Sequence, residues 1–251
     1  MRFPIILRFS SSVIMHDFFN THPVLPSIII FSNVFAFLPI AFMICLVQKT
    51  PLHGNCRYLF NAWLGGYFGL FIVNISLACV ALTDDNGFLT RSIRSPPHRE
   101  LLYGLCSSGT LYCSMAEIAL AVERIYSTID PEQYHQSPLA ISTLVPLTIF
   151  MIDLSILMGR LAYECNEFVL IGTFVLVCDI LTVVTNTLSV NYNRKRFKVA
   201  FDNLNAKYQA KEAFQLSAAM QPVYIAIFCV KCVIVTSAVI MLEMDDPYFN
   251  G

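Results

Sequence analysis

The sequence predicts an all-α integral membrane protein, a helical bundle with six transmembrane helices. Three observations carry this. Of 251 residues, 56% are hydrophobic and only 13% are charged, whereas a soluble globular protein averages about a quarter charged. Charge this sparse leaves too little polar material to coat a water-facing surface. Second, six separate stretches are long and apolar enough to cross a bilayer, which takes roughly 20 residues at about 1.5 Å of rise each. Third, these stretches lack the short length and strict alternation of barrel strands. Helices are then expected, because they satisfy their own backbone groups inside lipid.

The expected spans follow in order. The first is 22–47, from His22 to Val47, without a formal charge. The second is 58–82. The third is 101–124, apolar from Leu101 to Val122 apart from Glu117, and closing on Glu123-Arg124. The fourth, 139–161, carries Asp153 and Arg160; the fifth, 168–192, carries Asp179; the sixth, 216–242, carries Lys231. No internal repeat divides the chain, so it reads as a single domain. The connectors are legible as breaks in apolarity. Lys49 to Arg57 is short, and Thr83 to Glu100 is rich in turn residues. Ile125 to Pro138 is polar with two prolines, Ala162 to Glu167 is very short, and Asn193 to Gln215 is basic. With the N-terminus outside, the inner side holds nine Lys and Arg and the outer side six. The basic cluster from Arg194 to Lys198 abuts a span end, where such residues weigh most in setting orientation. The expected orientation is therefore N-terminus outside.

Several function classes drop out. A net charge of −1 gives no basic stripe for nucleic acid. The nine Cys show no paired Cys/His spacing that suggests zinc, and no two His have the i, i+4 spacing of a helical metal site. There is no P-loop and no G-x-S-x-G. The nearest serine motif, Gly104-Leu-Cys-Ser-Ser-Gly109, has no candidate His base and reads as small residues at a helix contact. No catalytic residue, metal or cofactor is expected. The N-terminal MRFPIILRF is apolar but too short to span, and no clean cleavage site follows it, so no cleaved signal peptide is expected.

Ionisable groups inside a membrane are costly and mark functional hypotheses. Glu117 lies deep in the third span. Asp153, Asp179 and Lys231 lie near mid-membrane or in the outer half, so one cation and two acids fall at similar depth. Two readings stay open: a structural ion pair such as Lys231 with Asp179, or a ligand pocket built on all three. Cys106, near the outer end of the third span, and Cys165, in the connector after the fourth, lie on the same side. They are expected as a disulfide or as two free thiols.

The third span ends in "MAEIALAVERIYST", Met115 to Thr128. Glu123 and Arg124 fall at the inner boundary. Such a pair reads either as a two-state latch, closed in one conformation and released in another, or as an Arg snorkelling at the membrane edge. The stretch Glu123-Arg-Ile-Tyr-Ser-Thr128, followed by Asp130-Pro-Glu-Gln-Tyr134, resembles the E-R-x-x-A-T … D-Y-E segment of nematode serpentine chemoreceptors. It is also similar to the acid-Arg-Tyr element of G-protein-coupled receptors, with Tyr126 one residue late. Asn191-Tyr-Asn-Arg-Lys-Arg-Phe197 with Leu204-Asn-Ala-Lys-Tyr-Gln-Ala-Lys-Glu212 resembles their Y-N-x-x-R … L-x-x-R-Y-Q-x-K-E-N segment. The nearest class is Sre, in the group that also holds Sra, Srab and Srb. Ser127 and Ala213 depart from the pattern. The family has seven spans and this sequence six, as expected of a truncated member.

The resemblance implies a seven-helix receptor-like fold and a chemosensory receptor in the plasma or ciliary membrane of sensory neurons. It would sense an external small molecule or peptide and signal to a heterotrimeric G protein. Glu123, Arg124 and Tyr126 would form the switch. Arg194, Lys195, Arg196 and Lys198 would face the G protein and anionic lipid, and Asp153, Asp179 and Lys231 would line the ligand pocket. The alternatives are a small transporter or channel-like protein using the same buried charges, or a non-signalling receptor relic.

Overall fold

A computed structural model describes residues 24–49, 52–83, 97–129, 131–136, 140–165, 168–196 and 204–244. Among them every regular element is a helix: α1 (Val24–Lys49), α2 (Gly54–Thr83), α3 (Pro97–Ile129), α4 (Pro131–Gln136), α5 (Ile141–Cys165), α6 (Phe168–Arg196) and α7 (Leu204–Met244). All except α4 are long and apolar enough to cross a membrane. The protein is an integral membrane helical bundle.

Each expected span is found as one helix, and most of the differences lie at the ends. The largest is in α7. Its membrane segment was expected to begin at 216, behind a basic connector, yet the helix begins at Leu204 and runs for 41 residues. That is about 60 Å, twice the hydrocarbon thickness. The stretch LNAKYQAKEAFQ is composed largely of strong helix formers and contains neither Gly nor Pro. Its polarity ends the membrane span without ending the helix. Likewise α3 continues past the expected boundary to Ile129 and stops just before Pro131, which lacks the N–H needed to carry it on. Pro131 instead opens α4, where a proline in the first turn costs nothing.

The centre of the bundle is α3, which packs against α2, α5 and α6 and touches α4 and α7. On the far side of α2 lies α1, and α7 lies along α6. The larger core joins Leu59, Phe60 and Trp63 of α2 to Ala116 and Leu120 of α3 and to Met220 and Tyr224 of α7. A second cluster sets Leu111 of α3 against Ile171 and Val175 of α6. Small residues bring the helices close. At Gly159 of α5 an added Cβ would run into Ser108 Oγ of α3 and lie 3.1 Å from the Ser108 backbone nitrogen. Outward, α1 presents Phe31, Phe35, Leu38 and Phe42, the apolar exterior that a bundle in lipid requires. Pro222 interrupts the ladder of α7. Beside it Asn186 Nδ2 of α6 donates to the Ser217 carbonyl at 3.0 Å, which ties α6 to α7 one residue before the carbonyl that Pro222 leaves without its helical donor.

Candidate functional site

Two buried polar assemblies are built on α3, six residues apart, which is about 9 Å of helix rise. The first is at its end. Arg124 Nε donates to Glu123 Oε2 at 2.6 Å, and Arg124 Nη2 pairs with the same oxygen. Tyr134 OH donates to Glu123 Oε1 and lies 3.5 Å from Arg124 Nη2. Arg124 is only 5% exposed, so the guanidinium is held inside the bundle rather than snorkelling outward. Tyr134 reaches the pair because α4 folds back under α3. Its ring lies 4.2 Å from that of His53, which precedes α2.

This arrangement corrects the expected switch. Glu123 and Arg124 are brought together, but Tyr126 is 54% exposed and only stacks edge-on against Tyr134, at 5.9 Å. Two residues beyond Arg124 is about 200° around the helix, which turns Tyr126 to the far face. The phenol that hydrogen-bonds the pair is Tyr134, the Tyr of the D-P-E-Q-Y stretch. It was visible in the sequence, but only the turn between α3 and α4 brings it back.

The Glu123–Arg124 pair continues into a polar seam between α3, α6 and α7. The Arg124 carbonyl accepts from Ser127 Oγ and Thr128 Oγ1 at 2.9 and 2.6 Å. Thr128 Oγ1 also accepts from Asn193 Nδ2 at 2.8 Å and lies 3.2 Å from Ser189 Oγ. Ser189 Oγ in turn lies 3.3 Å from Ser217 Oγ of α7. Small hydroxyl and amide side chains are typical adhesives between membrane helices. At the same end an open groove of about 440 Å³ lies between α3 and α6, with Ile129, Leu188 and Tyr192 on its walls and Lys195 in its lining. Arg194 and Lys195 are exposed. Arg196 is in the last turn of α6, and Lys198 lies outside the described residues.

The second assembly is deeper. Lys231 Nζ of α7 donates to Ser114 Oγ of α3 at 2.9 Å, to Glu117 Oε2 at 3.2 Å and to Asp179 Oδ1 of α6 at 2.8 Å. Glu117 Oε1 also accepts from Tyr67 OH at 2.7 Å and Trp63 Nε1 at 3.2 Å, both on α2. Four helices therefore converge on Glu117 and Lys231. Asp179 Oδ2 is buried and has no hydrogen-bond partner among the described residues.

The expected pocket trio is accordingly revised. Asp179 and Lys231 meet, but Asp153 is exposed on the outer surface of α5, and the second acid is Glu117. Asp179 and Lys231 share a height, as their contact requires, and Asp153 faces away from them. The Cys106 thiol is free and donates to Asn74 Oδ1 at 3.0 Å, while the side chain of Cys165 lies outside the described residues. Among the described residues no three His, Cys, Asp or Glu side chains gather as a metal-ligand set. No protein-family model matches the chain, and no curated protein matches its sequence.

Proposed function

We propose that this membrane protein is a chemosensory receptor of the nematode serpentine kind, most like class Sre. In this reading an external small molecule or peptide shifts the helices, and the shift opens the Glu123–Arg124 latch toward a heterotrimeric G protein. The observation that supports it is the latch itself. A buried acid–Arg pair sits at the end of the central helix, closed by a phenol from a separate short helix and wired to α6 and α7 by a hydrogen-bonded seam. Such a pair has two discrete arrangements, closed and released, which is what a ligand-driven equilibrium needs. A snorkelling Arg at a membrane edge would need neither burial nor Tyr134.

The released Arg124 would emerge beside Arg194 and Lys195, giving the G protein a basic, partly apolar cleft. Anionic lipid would be drawn to the same residues. The N-terminus would then lie outside and the cue would enter among the outer halves of the helices, in the plasma or ciliary membrane of a sensory neuron.

The test is nucleotide exchange on a co-reconstituted G protein without added cue. Glu123→Gln, which weakens the latch, is expected to raise basal exchange, and Arg124→Ala to abolish it. Equal exchange by wild type and both variants would sink the switch assignment.

A further inference from the structure

The deeper assembly has an unbalanced charge. Two carboxylates, Glu117 and Asp179, face one ammonium, Lys231, in a region where Glu117 is 1% and Asp179 2% exposed. Each group's hydrogen bonding says which form it takes. Lys231 has three N–H bonds and three separate acceptors, Ser114, Glu117 and Asp179, so it is a fully satisfied cation. Glu117 takes four donations, from Trp63 and Tyr67 on Oε1 and from the ammonium on both oxygens. Its negative charge is what strengthens them, so Glu117 is the better-stabilised anion.

Asp179 differs. Oδ1 takes the ammonium at 2.8 Å, and Oδ2 is buried with no donor among the described residues. An ionised Asp179 would leave a second negative charge uncompensated inside the bundle, which costs far more than a hydroxyl short of one hydrogen bond. A metal or organic cation is a poor answer, because the Lys231 ammonium already stands between the carboxylates and would repel it. The smallest cation needs no cavity.

We infer that the Glu117–Lys231–Asp179 assembly is a binding site for a single proton, carried on Asp179 Oδ2, so that the loaded site holds one anion, one cation and one neutral acid. The titratable and charged groups around it are Lys231 and Tyr224 on α7, Glu117 and Cys113 on α3, Tyr67 on α2, and Cys178 beside Asp179 on α6. Among the described side chains of α5 no charge faces it, since Asp153 and Arg160 are both exposed. The bound proton ties α6 and α7 to α3 without a surplus charge. The inference stands whether or not the protein signals to a G protein, because it rests on these side chains alone.

The experiment is infrared spectroscopy of the whole chain in lipid at neutral pH, reading the C=O stretch of a protonated carboxyl. It is done in an Asp153→Asn background, because Asp153 also faces the membrane. The expected result is one such band, slow to exchange in heavy water and shifted by aspartate labelled with heavy carbon at the carboxyl. Asp179→Asn should remove it. Glu117→Gln should remove it as well, because the remaining acid then pairs one-to-one with Lys231. Absence of the band in the Asp153→Asn chain overturns the inference. So does a band that shifts with labelled glutamate instead, or one that persists in Glu117→Gln. The labelling result needs no further substitution, so the inference remains testable if Asp179→Asn fails to fold.

Discussion

Replacing Glu123 by Gln isolates the energy of the latch. The substitution keeps the shape of the side chain but removes its charge. Arg124 then loses the anion that receives Nε and Nη2, and Tyr134 donates to a neutral amide instead of a carboxylate. A hydrogen bond to a charged partner is worth about 1.5–3 kcal/mol. The freed Arg124 recovers part of the loss by reaching water at the membrane edge. A net shift of about 2–3 kcal/mol toward the released state follows, which is about 30- to 150-fold in population. A natural reporter lies close by. Cys56, in the first turn of α2, is fully buried and close enough to Arg124 to interact electrostatically. It lies three residues after His53, whose ring covers Tyr134. When α4 lifts away, Cys56 becomes open to water. Its rate of modification by a water-soluble maleimide then tracks the open population, provided that reclosing outpaces the reagent. The expected rise is the same 30- to 150-fold, against a Cys56→Ala chain that gives the background. A rise below about threefold, equivalent to less than about 0.7 kcal/mol, would refute the idea that the pair holds the latch closed.

Three other outcomes follow from the packing. Gly159→Ala pushes a methyl into Ser108 of α3 and should lower stability by about 1–3 kcal/mol. Gly65→Ala, which meets nothing within 4 Å, should cost nothing; thermal unfolding in detergent compares the two. Asn186→Leu removes donors to the Ser217 carbonyl and to Gln221 Oε1 beside Pro222. It should cost about 0.5–2 kcal/mol, read as a shift in the unfolding midpoint that Gln221→Leu does not add to fully, because the two share one contact. Asp153→Leu takes an exposed carboxylate from the middle of α5. It should make insertion of that span more favourable by about 3–4 kcal/mol in a translocon assay.

The spans were legible because the bilayer imposes both a length and an apolar composition, and six stretches met both. Where the helices stop was less legible, since polarity marks the membrane boundary and says nothing about hydrogen bonding along the backbone. Residues 204–215 show the difference: they are polar and helical at once. The Glu123–Arg124 ion pair was legible because its members are adjacent on one helix. Its phenol was not, because Tyr134 depends on how the chain turns between α3 and α4.

The buried charges show why counting depth is insufficient. Position along a span fixes the height of a residue, and Asp153, Asp179 and Lys231 share a height closely enough to suggest a cluster. Rotation about the helix axis decides which of them meet. On α5 the buried positions among the described side chains are Leu144, Met151, Ser155 and Gly159, spaced by seven and then by four and so aligned on one face. Asp153 is two residues from both Met151 and Ser155, about 200° around, and must therefore point away from α3. The stripe Ser155-x-x-x-Gly159 is itself readable as a small-residue packing face. On α3 the same logic works in the opposite direction. Ser114 and Glu117 are three residues apart and lie together, so a serine one turn before an acid marks a face that can cradle an ammonium. Facing, taken from small residues and hydroxyls at helical spacing, exchanges Asp153 for Glu117 as the second acid beside Lys231.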